Sequence, residues 1–553
     1  MKIRTCLLTV LSALALLSCG EQTPSGSDIA VDTAEVEALM HRHIAVLAAD
    51  EYEGRAPATA GEEKTIRYLQ QQFQALGIGP GNGDSYFQSV SVTELTTASD
   101  AVLRLTGSSY QASFTYGDQM MVGTQQQIPS VGVFDSDLVF VGYGIVAPER
   151  NWDDYAGINV TGKTVVILVN DPGYATQDPE LFNGNEMTYY GRWTYKYEEA
   201  ARQGAAVALV VHETDPAGYP WEVVSSSWSG PQIGLQASNL NLDRNKIEGW
   251  LTLNSAEALF AGAGLSYQDL KAAASRRGFT AVPLADIRAT VSIENVVRTS
   301  KSQNVIATIP GTARPDETII YTAHWDHLGV NPELEGDNIY NGARDNATGV
   351  AGLLALAHLH AQQPAPERSI VFLAVTAEES GLLGSKWYAE HPIYPLASTV
   401  ANINMDSMNV SGRMRDIVVV GYDTSELQNY LQRAASRQGR YIRAEPTPEK
   451  GYYYRSDHFN FAKVGVPALY AEAGEDSVEF GEEWGAEQAL YYTNNDYHAP
   501  SDEYDPEWDL SGAAEDIFLY FDIVNQLSQE TVFPNWLDGN EFKEIRDASR
   551  RGL

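Results

Sequence analysis

The sequence predicts an α/β fold, a mostly parallel mixed sheet flanked by helices with a β-rich domain inserted into it. Two observations carry this. From residue 302 onward, apolar β-rich runs alternate with a helical pattern. "SQNVIATIPG" and "ETIIYTAHWD" read as strands, "NATGVAGLLALAHLHAQ" as a helix, and "RSIVFLAVTAEE" and "TVANINMDSM" as strands again. Such alternation needs crossover connections, and so favours parallel neighbours covered by helices. The middle of the chain differs: "DLVFVGYGIVAP" and "GKTVVILVNDPG" are short strands bounded by Gly, Pro, Asn and Asp, and "TYKYEEAARQGAAVALVVHET" reads as a helix running into a buried strand. With 553 residues the chain has length for two or three domains.

In chain order, residues 1–19 begin with Lys2 and Arg4, continue through an apolar stretch and end in small residues, the pattern of an export signal. Leu16-Leu17-Ser18-Cys19 resembles a bacterial lipobox, with Leu17 bulkier than the pattern prefers. The expectation is a lipoprotein-type signal peptide with lipid attached at Cys19. An outer-membrane lipoprotein facing the periplasm or cell surface follows, a soluble periplasmic or secreted protein being the alternative. Cys6 falls inside the signal, which leaves no cysteine pair for a disulfide. Residues 20–34 are polar and turn-rich and read as a flexible tether. Val36, Leu39, Met40, Ile44 and Leu47 recur at helical spacing, and a second helix is expected over 60–76, ended by Gly77. The domain boundaries expected are 35–129 for the N-terminal part of the main domain, 130–285 for the insertion, 286–530 for the rest of the main domain and 531–553 for a tail.

Charge excludes one class of partner. Lys and Arg number 37 against 73 Asp and Glu, a net charge of −36. Nucleic-acid binding rests on neutralising phosphates with cations, so no nucleic acid is expected as a partner. No later apolar run is long enough to span a bilayer, which leaves the lipid at Cys19 as the expected membrane contact.

"VTAEESGLLGS" ends a buried run with Glu378 and Glu379 side by side. Adjacent carboxylates there repel and resist burial unless something compensates their charge. Ligand-type side chains recur at neighbouring strand ends and turns: His324, Asp326 and His327 in "YTAHWDHLG", Asp345 in "NGARDNATGV", Asp406 in "INMDSM", and Tyr497 and His498 in "NDYHAPSDEYD". In open α/β sheets ligands sit at the carboxyl ends of strands. Imidazole and carboxylate suit zinc, and a bridging carboxylate can hold two ions roughly 3.5–4 Å apart. Successive side chains on an extended segment point to opposite sides, so one of the two glutamates could face a metal while the other serves as a proton acceptor. Taken singly, such a residue is more often a cap or a satisfied polar group; five of them on successive strand ends are much less readily accidental. His41, His43, His212, His358, His360 and His391 are expected to be structural. Neither HExxH nor GxSxG occurs.

"AHWDH", "NGARDNATG", "AEESGLLGS", "NMD", "SDHFNFAKVGVPA" and "YHAPSDEYD" follow one another in an order that resembles the M28 family of zinc exopeptidases, the aminopeptidase Y/Aeromonas-type group, over about 300–525 and more weakly over about 35–128. The middle block, with "VFVGYGIVAPERNWDDYAGINVTGKTVVILVNDPG", resembles a protease-associated (PA) domain. The resemblance implies a zinc-exopeptidase (phosphorylase/hydrolase-like) fold holding two zinc ions. His324 and Asp406 would bind one, Glu379 and His498 the other, with Asp345 bridging. Asp326 would orient the His324 imidazole, Glu378 would be the general base, Tyr497 an oxyanion donor, and Arg455 a substrate contact. The Asp345–Asn346 bond is expected to be cis. The implied activity is removal of the N-terminal residue from peptides with a free α-amino group. A glutaminyl cyclase, a carboxypeptidase-type relative or a non-catalytic binding module are the alternatives. His327 departs from the family pattern, where Ser is common, and two roles stay open: narrowing the pocket or changing a contact behind a ligand.

Overall fold

Apolar runs form the centre of the main sheet in the computed structural model, which describes residues 33–551. Its strands are β1 (Phe87–Thr97), β2 (Val282–Ile309), β3 (Arg314–His324), β4 (Arg368–Val375), β5 (Thr399–Asn404), β6 (Asp416–Val420), β7 (Tyr441–Ala444) and β8 (Ala468–Ala473). They lie in the order β1-β2-β4-β3-β5-β8-β6-β7, with β4, β3, β5 and β8 parallel and β2 and β6 antiparallel to their inner neighbours. β4 and β5 are buried along their whole length because helices cover both faces. Alternation sorts their side chains: Phe372 and Ala374 enter one core, while Val371, Leu373 and Val375 enter the other.

The first core is closed by α1 (Thr33–Leu47), α2 (Ala60–Ala75), α3 (Thr348–Ala361) and α5 (Ser511–Gln529), α4 being the helix Glu482–Asn495 between them. On α1 the five apolar residues spaced in the sequence are all buried. The second helix ends as expected, with Gly77 at φ 73°. α3 is apolar nearly all round because it lies sandwiched between the sheet and neighbouring helices. Phe372 sits in this core, stacked on Tyr321 at 5.7 Å with Phe73 at 5.9 Å, so its truncation to Ala would cost about 3–5 kcal/mol.

A second unit has its own cores and its own mixed sheet. Strands Ser130–Phe140, Thr164–Leu168, Val207–His212 and Ile247–Thr252 run parallel in that order, and Met120–Gly123 pairs antiparallel at the edge. Its hydrophobic core also takes in Ala101, Leu103, Leu105, Phe114, Met120 and Val122, ahead of residue 130. The 28-residue β2 spans both units: 282–294 pair within the second sheet, and 295–309 pair with β1 and β4. The units also meet elsewhere. The Met187 N–H donates to the Pro448 carbonyl at 3.1 Å, and Tyr189 packs against Tyr454 and Phe459. Among the described residues no helix is long and apolar enough to cross a membrane. The signal, Cys19 and nearly all of the tether lie outside the described residues.

Candidate metal centre

Three strand ends and two loops build the site. His324 is the last residue of β3, Glu378 and Glu379 follow β4, Asp406 follows β5, Asp345 lies in the turn before α3, and His498 follows α4. The two oxygens of Asp345 face different imidazoles. Oδ1 is 3.2 Å from His324 Nε2 and Oδ2 is 3.3 Å from His498 Nε2. His324 Nε2 also lies 3.3 Å from Asp406 Oδ1, and His498 Nε2 lies 3.0 Å from Glu379 Oε2. Glu378 Oε2 is 4.0 Å from His324 Nε2. The site opens on the side of His498, whose side chain is 36% exposed while His324 is buried.

The electrostatics are lopsided. Against burial, the charges of Glu378 and Asp406 raise the His324 imidazole well above its usual range, and Glu379 and Asp345 do the same to His498. Asp345 is held well below the usual carboxylate range, again against burial, by hydrogen bonds from both imidazoles. Burial, opposed by the His324 charge and reinforced by Glu379, drives Glu378 well up. Four carboxylates thus converge on two imidazoles, and a divalent cation is the natural compensation. The donor set fits zinc: the ligand atoms of His324, Asp345 and Glu379, and those of His324, Glu378 and Asp406, each lie within 4.8 Å of one another.

Around these donors the main chain is held by groups with fixed tasks. Asp326 holds the two glutamates: its Oδ1 accepts the Glu378 N–H at 3.1 Å and its Oδ2 the Glu379 N–H at 3.4 Å. Its carboxylate is 3.9 Å from His324 Nδ1, too long for a hydrogen bond, and the Asp326 carbonyl takes that position at 3.2 Å. His327 Nδ1 is 2.6 Å from Glu379 Oε1, which leaves Oε2 to face His498. Of the two roles left open by the sequence, the contact behind a ligand is the one present. Asn346, joined to Asp345 by a cis bond, accepts the N–H groups of Gly349 and Ser407.

Three supporting residues were given no role by the sequence, although Ser456 and Asp502 fall inside the motifs "SDHFNFAKVGVPA" and "YHAPSDEYD". Asp502 accepts the N–H groups of Arg344 and Asp345 at 2.9 and 3.0 Å. Ser456 donates to Asp406 Oδ2 at 2.6 Å. Arg55, fully buried, donates to the carbonyls of Leu47, Trp325, Asn341 and Gly342, tying α1 to two of the site loops. Asp502 and Arg55 act on backbone, and Ser456 on the second oxygen of Asp406, contacts that only the fold brings together. Tyr497 stacks on the His498 ring at 3.9 Å and Arg455 lies over the Tyr452 ring; among the described residues neither side chain hydrogen-bonds to the donor set. The histidines expected to be structural lie apart; His360, for example, is 3.0 Å from the Tyr321 hydroxyl.

Residues 304–522 match the model of peptidase family M28. A probable zinc metalloprotease of Pyrenophora teres f. teres (strain 0-1) is 34% identical over 119 residues, which is 21% of this chain and 25% of the relative. Aminopeptidase YwaD of Bacillus subtilis (strain 168) is 26% identical over 205 residues, covering 36% of this chain and 39% of the relative. The chain thus spans well under half the length of these curated relatives. Among solved structures, an aminopeptidase from Aneurinibacillus sp. strain AM-1 superposes over 91% of this chain and 95% of its own, with 21% identity and a TM-score of 0.49.

Proposed function

We propose, from the premise that this chain belongs to peptidase family M28 through residues 304–522, that it is a di-zinc aminopeptidase acting on peptides with a free N-terminus. The observation that carries the two-ion reading is Asp345, whose oxygens face His324 on one side and His498 on the other. His324 and Asp406 would hold one ion, Glu379 and His498 the second, and Asp345 both. When bound, the ions supply Lewis acidity for the carbonyl and lower the pKa of water toward neutrality.

The remaining steps belong to side chains. Glu378 faces the donor set without being needed as a ligand, and burial raises its proton affinity. It takes the proton of the attacking water and delivers it to the amine nitrogen as the C–N bond breaks. The water oxygen stays on the new carboxyl carbon. The Tyr497 hydroxyl, on the open rim beside His498, donates to the carbonyl oxygen as negative charge builds there. Asp326 and His327 hold the glutamates in register. The second unit is read as a protease-associated domain, and Cys19 as the lipid anchor of an exported protein.

The test is a panel of Ala-, Leu-, Lys- and Glu-nitroanilides and their N-acetylated forms, with metal content measured in parallel. Cleavage of the free-amine set alone, abolished by a chelator, with two zinc ions per chain, is the expected result. Cleavage of the acetylated set, or full turnover with one ion, would overturn it.

A further inference from the structure

The chain has far more acidic than basic residues, yet two arginines at the seam between the units have no acidic partner. Arg192 precedes the helix Trp193–Arg202 of the second unit, and Arg455 lies in the loop after Tyr452–Tyr454 of the main unit. Among the described residues, neither side chain hydrogen-bonds or ion-pairs with another. Arg192 Nε and Arg455 Nε and Nη2 are out of solvent and unsatisfied. Buried guanidinium donors without acceptors are costly, and two cations brought together repel. Burial and then the Arg455 charge pull the Arg192 guanidinium down to about 10. The Arg455 guanidinium sits 5.9 Å from the Tyr219 ring and 5.2 Å from the Tyr452 ring, and the charges of both arginines are felt at the Tyr219 phenol.

Arg455 borders the candidate centre. Ser456, next to Arg455, donates to Asp406. The Arg455 charge is also felt at the Tyr497 phenol, opposing the burial and the carboxylates that raise it. The seam is anchored on either side by Tyr189 against Tyr454 and Phe459, and by Lys463 Nζ on the Tyr189 hydroxyl at 3.0 Å. The Arg455 guanidinium thus rests on a ring from each unit, and Arg192 adjoins the same seam three residues after Tyr189.

We infer that Arg192 and Arg455 form a single carboxylate subsite of the cleft, which selects peptides carrying a carboxylate close to the scissile bond. Planar guanidinium forks match a carboxylate, and the peptide would supply the acceptors that the protein lacks. The source is the C-terminus of a very short peptide or the side chain of an Asp or Glu residue. The inference deepens the aminopeptidase reading and rests on it.

The experiment compares kcat/KM for Ala-Ala, Ala-Ala-amide, Ala-Glu-amide and Glu-Ala-amide in the zinc-loaded protein and in Arg192→Gln and Arg192→Lys. All four have a free amine; three carry one carboxylate, at different places, and Ala-Ala-amide carries none. The expected result is a preference of about tenfold or more for a carboxylate-bearing substrate over Ala-Ala-amide, carried by KM. Arg192→Gln should collapse that ratio toward one and Arg192→Lys should keep part of it. Preference for Ala-Ala assigns the subsite to the C-terminus; preference for either Glu peptide assigns it to a side chain. A wild-type ratio near one, or an equal loss on acid and amide in Arg192→Gln, would overturn the inference while leaving the aminopeptidase reading intact. If no free-amine peptide is cleaved, that reading fails, and calorimetry with glutarate decides the subsite. Its Kd should rise at least tenfold in Arg192→Gln, and an unchanged Kd would overturn it.

Discussion

Each unit of the molecule buries a charged cluster, and the two clusters close differently. In the second unit Lys196 is fully buried, and its Nζ donates to the carbonyls of Asn170 and Tyr190 at 2.8 and 2.6 Å. Asp171 nearby accepts from Gly173, Tyr174 and Thr188, and Asp154 accepts from Ile145 and the Trp152 indole. The lysine and each of the two carboxylates have hydrogen-bond partners of their own. In the main unit Asp345, Glu378, Glu379 and Asp406 converge on His324 and His498, and the negative charge is left in excess. A closed network is a structural part; an open one with a single sign of charge is a binding site.

The difference is sharpest under mutation. Glu378→Gln should cut turnover about 10²–10⁴-fold, with zinc content and thermal stability unchanged. Near-normal turnover in a fully zinc-loaded variant would remove Glu378 from the chemistry. Lys196→Met should do the opposite. It leaves carboxylates and carbonyls without their cation at a cost of about 3 kcal/mol or more in chemical denaturation, while kcat per folded molecule stays near normal. If Lys196→Met abolished kcat without loss of stability, the closed network would be functional and the contrast would fail.

A smaller effect is expected at His327. With Nδ1 2.6 Å from Glu379 Oε1, it holds the carboxylate that faces His498. His327→Ser should weaken zinc binding about 10–100-fold, read by competition with a chromogenic chelator. His358→Ser, in which the replaced ring contacts Glu35 far from the site, is the control. Equal zinc affinity in the two variants would leave His327 with a packing role only.

Sequence reading reached the site through side-chain type. His324, Asp345, Glu378, Glu379, Asp406 and His498 could be found because imidazole and carboxylate at the ends of apolar runs are chemically conspicuous, and the runs themselves were visible as near-continuous β-branched segments. Arg55 carried no such signal, and Asp502 sat inside "YHAPSDEYD" with no role attached, because each serves main-chain groups from loops far away in sequence. Asp326 was read as a partner for an imidazole, but its carboxylate binds the two glutamate N–H groups, a contact decided by how β3 and β4 end side by side. The contribution of residues 101–122 to the second core was equally hidden. Their short alternating strands look like any sheet edge until the chain returns as β2 and pairs with one of them.

The smallest predicted effect tests whether the second unit is as closed as its Lys196 network suggests. Among the described residues Glu248, buried on the strand Ile247–Thr252, has only Gln125 as a side-chain partner, at 3.2 Å from Oε2, and Oε1 has none. Burial pushes its carboxyl up to about 7. The folded state therefore retains a proton that the unfolded chain releases near pH 4.5. The contribution is fully present below that pH and is lost as pH rises through about 7. Glu248→Gln keeps the shape and removes the titration, so its unfolding midpoint should fall less than that of the wild type between pH 5 and pH 8, by about 1–3 kcal/mol in the underlying stability. Parallel curves for the two proteins across that range would mean that Glu248 is already ionised in the fold. The second unit would then carry an unpaired buried charge of its own, and its cluster would belong with the open kind.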